Sequence, residues 1–334
     1  MIQRKLLPFI LLIVFCLTAF KPLPMESSKL GKARAFSGDV YLVDITALNI
    51  SGIDLSAGTY DVDFYITFIC KTPPCTHEPA WDVMNSTEEI SPQDQGTSIP
   101  FKEYDYRLKT TLIAKVDYQF YPFDYLYIEM FIEDKEHTSQ ELTYQLDSIE
   151  VDSMLFNPSG WYYRPQYNGG ETNPVSYFGD PETFDRLDVW MFLERDRFGA
   201  FMKTIFAAIV IVMIGMLSFL MRPDSVTERL GLTSSTLVAI VLYHISLVAG
   251  VPATGYLTFV DKFMIATYVV VFFSLVVSVM LMVNVNKGNL ERAEKIHQLT
   301  RWTVPSVWIL LMIYVFVFEL VIPYQQLLVA GGGA

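Results

Sequence analysis

Four stretches in the second half of this chain, 199–221, 226–250, 256–283 and 302–322, are each about 20 residues or longer and apolar enough to cross a bilayer. Nothing constrains the fold more. Backbone in hydrocarbon must satisfy its own N–H and C=O groups, and for segments of this length that means helices. One of the four differs from the rest. From Met221 to Pro252 the chain opens on charges (Arg222, Asp224, Glu228, Arg229) and passes through hydroxyls (Thr227, Thr233, Ser234, Ser235, Thr236). It then carries His244 and Ser246 within its aliphatic half. Polar groups facing lipid cost free energy unless partnered, so this helix suits the middle of a bundle, facing water or other helices. It reads as the wall of an ion pore.

The half that precedes these spans is of another kind. Residues 25–198 hold 30 Asp and Glu against 13 Lys and Arg, an excess larger than the net charge of −12 for the whole chain. Such an excess argues against nucleic acid as a partner and favours cations near the surface, although a plain water-facing acidic domain has the same composition. Arg4 and Lys5 ahead of the apolar run Leu6 to Leu17 read as an export signal over about 1–20, too short for a bilayer helix. Lys287, Arg292, Lys295 and Arg301 place the loop 284–301 in the cytoplasm, and Arg222 does the same for the short link after the first span. The N-terminal half is then extracellular or periplasmic, on a multi-pass protein of the plasma or inner membrane.

That exported half, 36–198, reads as β structure. Residues 40–48 and 60–68 alternate apolar and polar side chains across a turn-rich stretch, and 104–113, 125–132 and 187–193 continue the pattern. An all-β, immunoglobulin-like antiparallel sandwich followed by an all-α four-helix transmembrane bundle is the expected fold. Cys70 and Cys75 flank Pro73-Pro74, and in an oxidising compartment they are expected to close a small disulfide loop. His77 nearby makes too small a ligand set for a metal to be expected. No cofactor is implied.

Asp117-Tyr-Gln-Phe-Tyr-Pro-Phe-Asp124, with the strand 125–132 behind it, resembles the signature loop of pentameric ligand-gated ion channels of the prokaryotic type, which lack flanking cysteines. Further matches fall in order: Ser159-Gly160-Trp161, Leu193-Glu-Arg195, Thr227-Glu-Arg-Leu230, Ser235-Thr-Leu-Val-Ala239 and Pro252-Ala-Thr-Gly-Tyr-Leu-Thr-Phe259. Departures accompany them. Cys70 stands where relatives carry tryptophan, no tryptophan lies between Glu133 and Thr143, and Met202 stands near the place of an early first-helix proline.

The resemblance implies a homopentamer in the bilayer, gated by a small-molecule ligand or by protons and passing cations. Spacings of three and four put Glu228, Gly231, Ser235, Val238, Leu242 and Ile245 on one helix face, but Ser234, Leu237, Val241 and His244 recur similarly. The resemblance selects the first set as pore-lining. Val238, Leu242 and Ile245 would form an apolar constriction, and a ring of Glu228 would favour cations. Glu228 has a structural rival role, since Ser225-Val-Thr-Glu228 fits a capping box. By the same resemblance Asp124 and Arg195 pair at the domain interface, with Asp54 as a possible third member, and pass motion to the linker at Pro252. Arg107, Tyr177 and Phe178 are its candidate ligand contacts. His244 fits either a helix-packing hydrogen bond or a proton sensor.

Two other readings compete. One is a non-conducting receptor or assembly subunit on the same architecture. The other, a membrane-anchored enzyme, finds no support in Gly-x-Ser-x-Gly, His-Glu-x-x-His or phosphate-loop motifs, none of which occurs.

Overall fold

The computed structural model describes residues 38–323 and 325, apart from 89, 91, 92, 99–102, 178, 180 and 181. The expected signal over 1–20 and Phe178 lie outside the described residues. Two sheets face each other across one core. One runs in the order β4 (Gln93–Ser98), β5 (Glu103–Ile113), β2 (Thr59–Cys70), β1 (Asp39–Asp54), β7 (Leu142–Val151). The other runs β3 (Trp81–Val83), β6 (Tyr125–Asp134), β10 (Thr183–Arg195), β8 (Trp161–Tyr163), with β9 (Gly169–Ser176) also pairing β10.

Period-2 patterning explains the sheets. In β2 every second residue is buried, so Val62, Phe64, Ile66 and Phe68 meet Ile128, Met130 and Ile132 of β6 and Leu187, Val189 and Met191 of β10. Burying each such side chain is worth about 1.5–3 kcal/mol. One pairing departs from the antiparallel expectation: β1 and β7 run parallel, from Asp39↔Leu142 to Ala47↔Val151.

β10 leads directly into the membrane part. Asp196 caps the next helix by accepting the Phe198 N–H, and four helices follow: Arg197–Leu220, Val226–Val248, Phe259–Asn286 and Leu290–Val321. All four are long and apolar enough to cross a membrane. The first and second approach closely at Gly215, where a Cβ would stand 2.6 Å from Thr236 Cγ2. Small residues at such crossings let helix backbones pack.

The helix boundaries differ from expectation in two places. The third helix begins at Phe259 rather than 256, because Thr258 and Asp261 form a reciprocal capping box. The loop expected over 284–301 is mostly helix, since the fourth helix starts at Leu290 after a short break at Gly288 (φ 73°). The stretch Leu290-Glu-Arg-Ala-Glu-Lys is rich in helix formers, and Lys295 and Glu291 pair across one turn. Charge marked the polar segment, but charge does not prevent helix.

Candidate functional site: the domain interface and the second helix

The loop 114–124, which contains the stretch Asp117–Asp124 that resembles the signature loop, sits between the sandwich and the membrane helices. Its last residue, Asp124, is fully buried and receives Arg195 in a two-pronged contact, Nε to Oδ1 at 2.6 Å and Nη2 to Oδ2 at 3.0 Å. The guanidinium also lies 4.3 Å from the Trp161 ring centroid and 5.8 Å from that of Tyr121. Trp161 is directly opposite Arg195 in the β8–β10 ladder, so the sheet register itself sets this stack. Gly160 makes the approach possible with φ 82°, and its carbonyl accepts the Asp196 N–H.

Asp54 does not join the pair. Its Oδ1 accepts Ser56 N, Ser56 Oγ and Ala57 N, which folds the hairpin tip back on itself. Those bonds, the Ser56 hydroxyl's foremost, hold the Asp54 carboxyl below its ordinary pKa. Asp54 and Arg195 instead line one cleft of about 600 Å³, together with Ser56, Tyr121, Trp161 and Gly250. Pro252 lies half-buried in the linker beyond Gly250.

Contacts that the sequence did not announce bind the linker to the loop. Tyr256 Oη donates to Asp117 Oδ1 at 3.1 Å and accepts Tyr118 N–H at 3.0 Å. Tyr118 Oη donates to the Leu55 carbonyl in the first hairpin. At the start of the third helix, Phe259 N–H and Val260 N–H donate to the Gln119 and Tyr121 carbonyls. Beneath them Phe259 packs edge to face with Phe123 and Phe316. One loop thus touches the hairpin tip, the linker and two membrane helices. A single aromatic residue in the linker Pro252–Thr258 was the available signal for Tyr256.

On the second helix the two faces that periodicity offered differ in degree of exposure: Ser234, Leu237 and His244 are half-buried and Val241 is exposed. Glu228, Gly231, Ser235, Val238, Leu242 and Ile245 are all exposed, whereas Arg229, Thr233, Thr236 and Ile240 are buried against neighbouring helices. Val238, Leu242 and Ile245 expose 59%, 61% and 59% of their surface, a continuous apolar stripe. Ser225 makes no side-chain cap bond, so the rival capping box is not formed and the Glu228 carboxylate is left exposed. His244 is engaged: its ring nitrogens lie 2.7 Å from Tyr268 Oη and 3.0 Å from Asp261 Oδ1 on the third helix. Glu319 pairs with Lys262 at 2.7 Å.

The candidate ligand contacts on the sandwich are separated by what they already hold. Arg107 binds Asp63 through Nε and Nη2 at 3.1 and 3.0 Å. The hydrogen bond to Asp63, then its charge, raises the Arg107 pKa. Tyr177 lies elsewhere, on the β9–β10 hairpin, and donates its hydroxyl to Glu133 Oε2 at 2.5 Å. Burial and the Glu133 carboxylate push the Tyr177 pKa up to about 12. Glu133 is 4% exposed, and its other oxygen, Oε1, has no hydrogen-bond partner, with Arg186 Nη1 at 3.8 Å. Nothing in the local pattern of β6 distinguishes Glu133 from other strand glutamates. Cys70 and Cys75 form a disulfide, with Cα atoms 6.1 Å apart. Among the described residues no group of three or more His, Cys, Asp or Glu side chains is arranged to hold a metal ion.

Residues 204–313 match the family model for the neurotransmitter-gated ion-channel transmembrane region. Over these residues the chain is similar to the transmembrane region of the Cys-loop, ligand-gated ion channels. The match starts in the first membrane helix and ends in the fourth, so it covers the exposed stripe, the linker and the second helix's partners. With a β-sandwich domain ahead of four helices long and apolar enough to cross a membrane, the chain has the organisation of a multi-pass membrane protein, and the similarity places its membrane part with the ion-channel class. No curated protein sequence matches the chain at the threshold applied.

Proposed function

We propose that five copies of this chain enclose a cation-selective pore, opened by a ligand or protons acting on an extracytoplasmic sandwich. One observation carries the reading: within a single subunit the apolar stripe Val238, Leu242, Ile245 and the acidic foot Glu228 are left uncovered on the same side of one helix. An isolated helix in lipid gains nothing by aligning Glu228, Gly231 and Ser235 with that stripe. Around a symmetry axis the same arrangement makes an acidic inner mouth, a wettable segment and a constriction that closes by dewetting.

The coupling follows from the contacts above. Asp124 and Arg195 fix the last strand to the signature loop, and that loop holds the linker through Tyr256 and the third helix through Phe259. Displacement of β10 would therefore be felt at the top of the second helix. For the ligand, Arg107 is the weaker candidate because Asp63 already satisfies it. Glu133, whose Oε1 makes no hydrogen bond and meets Arg186 Nη1 only at 3.8 Å, supports recognition of a protonated amine beside Tyr177.

Planar-bilayer recording of purified protein tests the reading. The wild type should pass current with a reversal potential that follows the cation gradient. Glu228→Gln should reduce cation over anion preference several-fold while leaving assembly intact. Chloride-following reversal in the wild type, or a non-conducting particle, would overturn the proposal.

A further inference from the structure

The first membrane helix is not α-helical throughout. Phe201–Phe206 form a π-turn, directly after the short α-helical entry Arg197–Ala200 and before the regular segment Ala207–Met216. A π-turn shifts the hydrogen-bond ladder by one residue and leaves a backbone carbonyl without its usual helical donor. In hydrocarbon such a carbonyl is costly unless another group serves it. Here Tyr243 of the second helix does so: its Oη stands 2.8 Å from both the Lys203 and the Thr204 carbonyls, sharing one proton between them. Met202, near the place of the first-helix proline that the resemblance led one to expect, lies inside this turn.

Tyr243 has a neighbour with a matching task on the opposite side. His244 holds the third helix through Tyr268 and Asp261. Two consecutive residues thus tie the second helix to its neighbours on both flanks, and they sit between Leu242 and Ile245, the outer members of the exposed apolar stripe. The two ties differ in kind. The histidine bonds side chains on a regular helix, whereas the tyrosine bonds backbone of an irregular one. A π-turn can return to α-geometry by moving its extra residue along the helix, and the tyrosine bond selects against that move.

We propose that the Tyr243 hydroxyl is a latch on the first-helix π-turn, and that its making and breaking sets the balance between closed and open orientations of the second helix. This rests on the channel reading but acts through a residue placed neither in the pore nor in the ligand contacts. Tyr243 is a positioning residue. It acts on Leu242 and Ile245 through the helix it belongs to.

The test is Tyr243→Phe, which keeps the ring and removes the hydroxyl, studied as the full chain in lipid nanodiscs and planar bilayers. Hydrogen exchange of the backbone amides over 203–209 should quicken at least several-fold in the variant. In bilayers stepped from pH 8 to pH 4, the variant's open fraction should change about 5-fold, the factor that ~1 kcal/mol of a neutral hydrogen bond represents. Its unitary conductance and reversal potential should match the wild type. Tyr268→Phe, which loosens the other flank, should leave exchange over 203–209 unaltered. Unchanged exchange in Tyr243→Phe overturns the latch. Quickened exchange with an unaltered open fraction makes the bond merely structural and overturns its role in gating. Absence of current from the wild type would overturn the channel reading and the gating role together, while the exchange arm decides whether the latch exists.

Discussion

Asp124–Arg195 and Asp63–Arg107 are the same chemical contact in two settings. Each joins Nε and Nη2 of an arginine to the two oxygens of an aspartate. The first lies at the foot of the sandwich with side-chain exposures of 22% for the arginine and 0% for the aspartate, against 44% and 17% for the second. The first also carries Trp161 at 4.3 Å, while Arg107 lies over Tyr65 at 5.7 Å. Geometry alone therefore does not tell a coupling element from a surface pair. Burial does, because removing one partner strands the other in low dielectric only where water cannot replace it.

Breaking the buried contact should have the largest effect. Asp124→Asn or Arg195→Ala is expected to cost about 3–5 kcal/mol or to prevent assembly, seen as a collapse of thermal stability in detergent and loss of the assembled species on size exclusion. Melting like the wild type would remove the distinction drawn here.

A third carboxylate sharpens the comparison from the middle. Asp134 is buried without arginine, and accepts hydrogen bonds from Tyr144 Oη and from the backbone of Ala80, Glu136 and His137. Burial would raise its pKa, but those donors outweigh it and hold the group below 3.8. A carboxylate with a lowered folded pKa adds stability that is complete above the unfolded value and is lost as pH falls through the folded one. Asp134→Asn should cost about 1–3 kcal/mol near neutral pH. Melting temperature followed from pH 7 down to pH 3 should drop less steeply in that variant than in the wild type, and parallel curves would deny Asp134 its share.

The smallest effect belongs to the exposed pair. Arg107→Ala should leave the melting temperature close to that of the wild type, with any difference fading as salt is raised. A drop as large as that of Arg195→Ala would mean that exposure is the wrong criterion.

Much of the architecture was legible before any coordinates. Four apolar runs and the alternation in β1 and β2 come from hydropathy and local chemistry, which act within a few turns or strands, whereas the ordered motifs from Asp117 to Phe259 were legible as a resemblance. Short strands such as Trp81–Val83 and Trp161–Tyr163 were not legible, because three residues carry no period. Partner choice was the other blind spot. Asp54, Arg107 and Glu133 are similar polar residues on similar strands or turns, and only folding reveals that Asp54 closes its own turn, Arg107 meets Asp63 and Glu133 meets Tyr177.

The second helix shows where the division lies. Its amino acids dictated that it would be a helix, that it would span, and that two faces were candidates for the inside of a bundle. Hydrophobic spacing repeats along a helix axis without reference to direction, so it could go no further. Packing against the first and third helices buried Thr233, Thr236 and Ile240 and turned Glu228, Val238 and Leu242 outward. It also placed Tyr243 beside a π-turn 40 residues away in the chain. Contacts between residues that distant depend on how whole helices dock, a property of the assembled bundle that no local window of sequence contains.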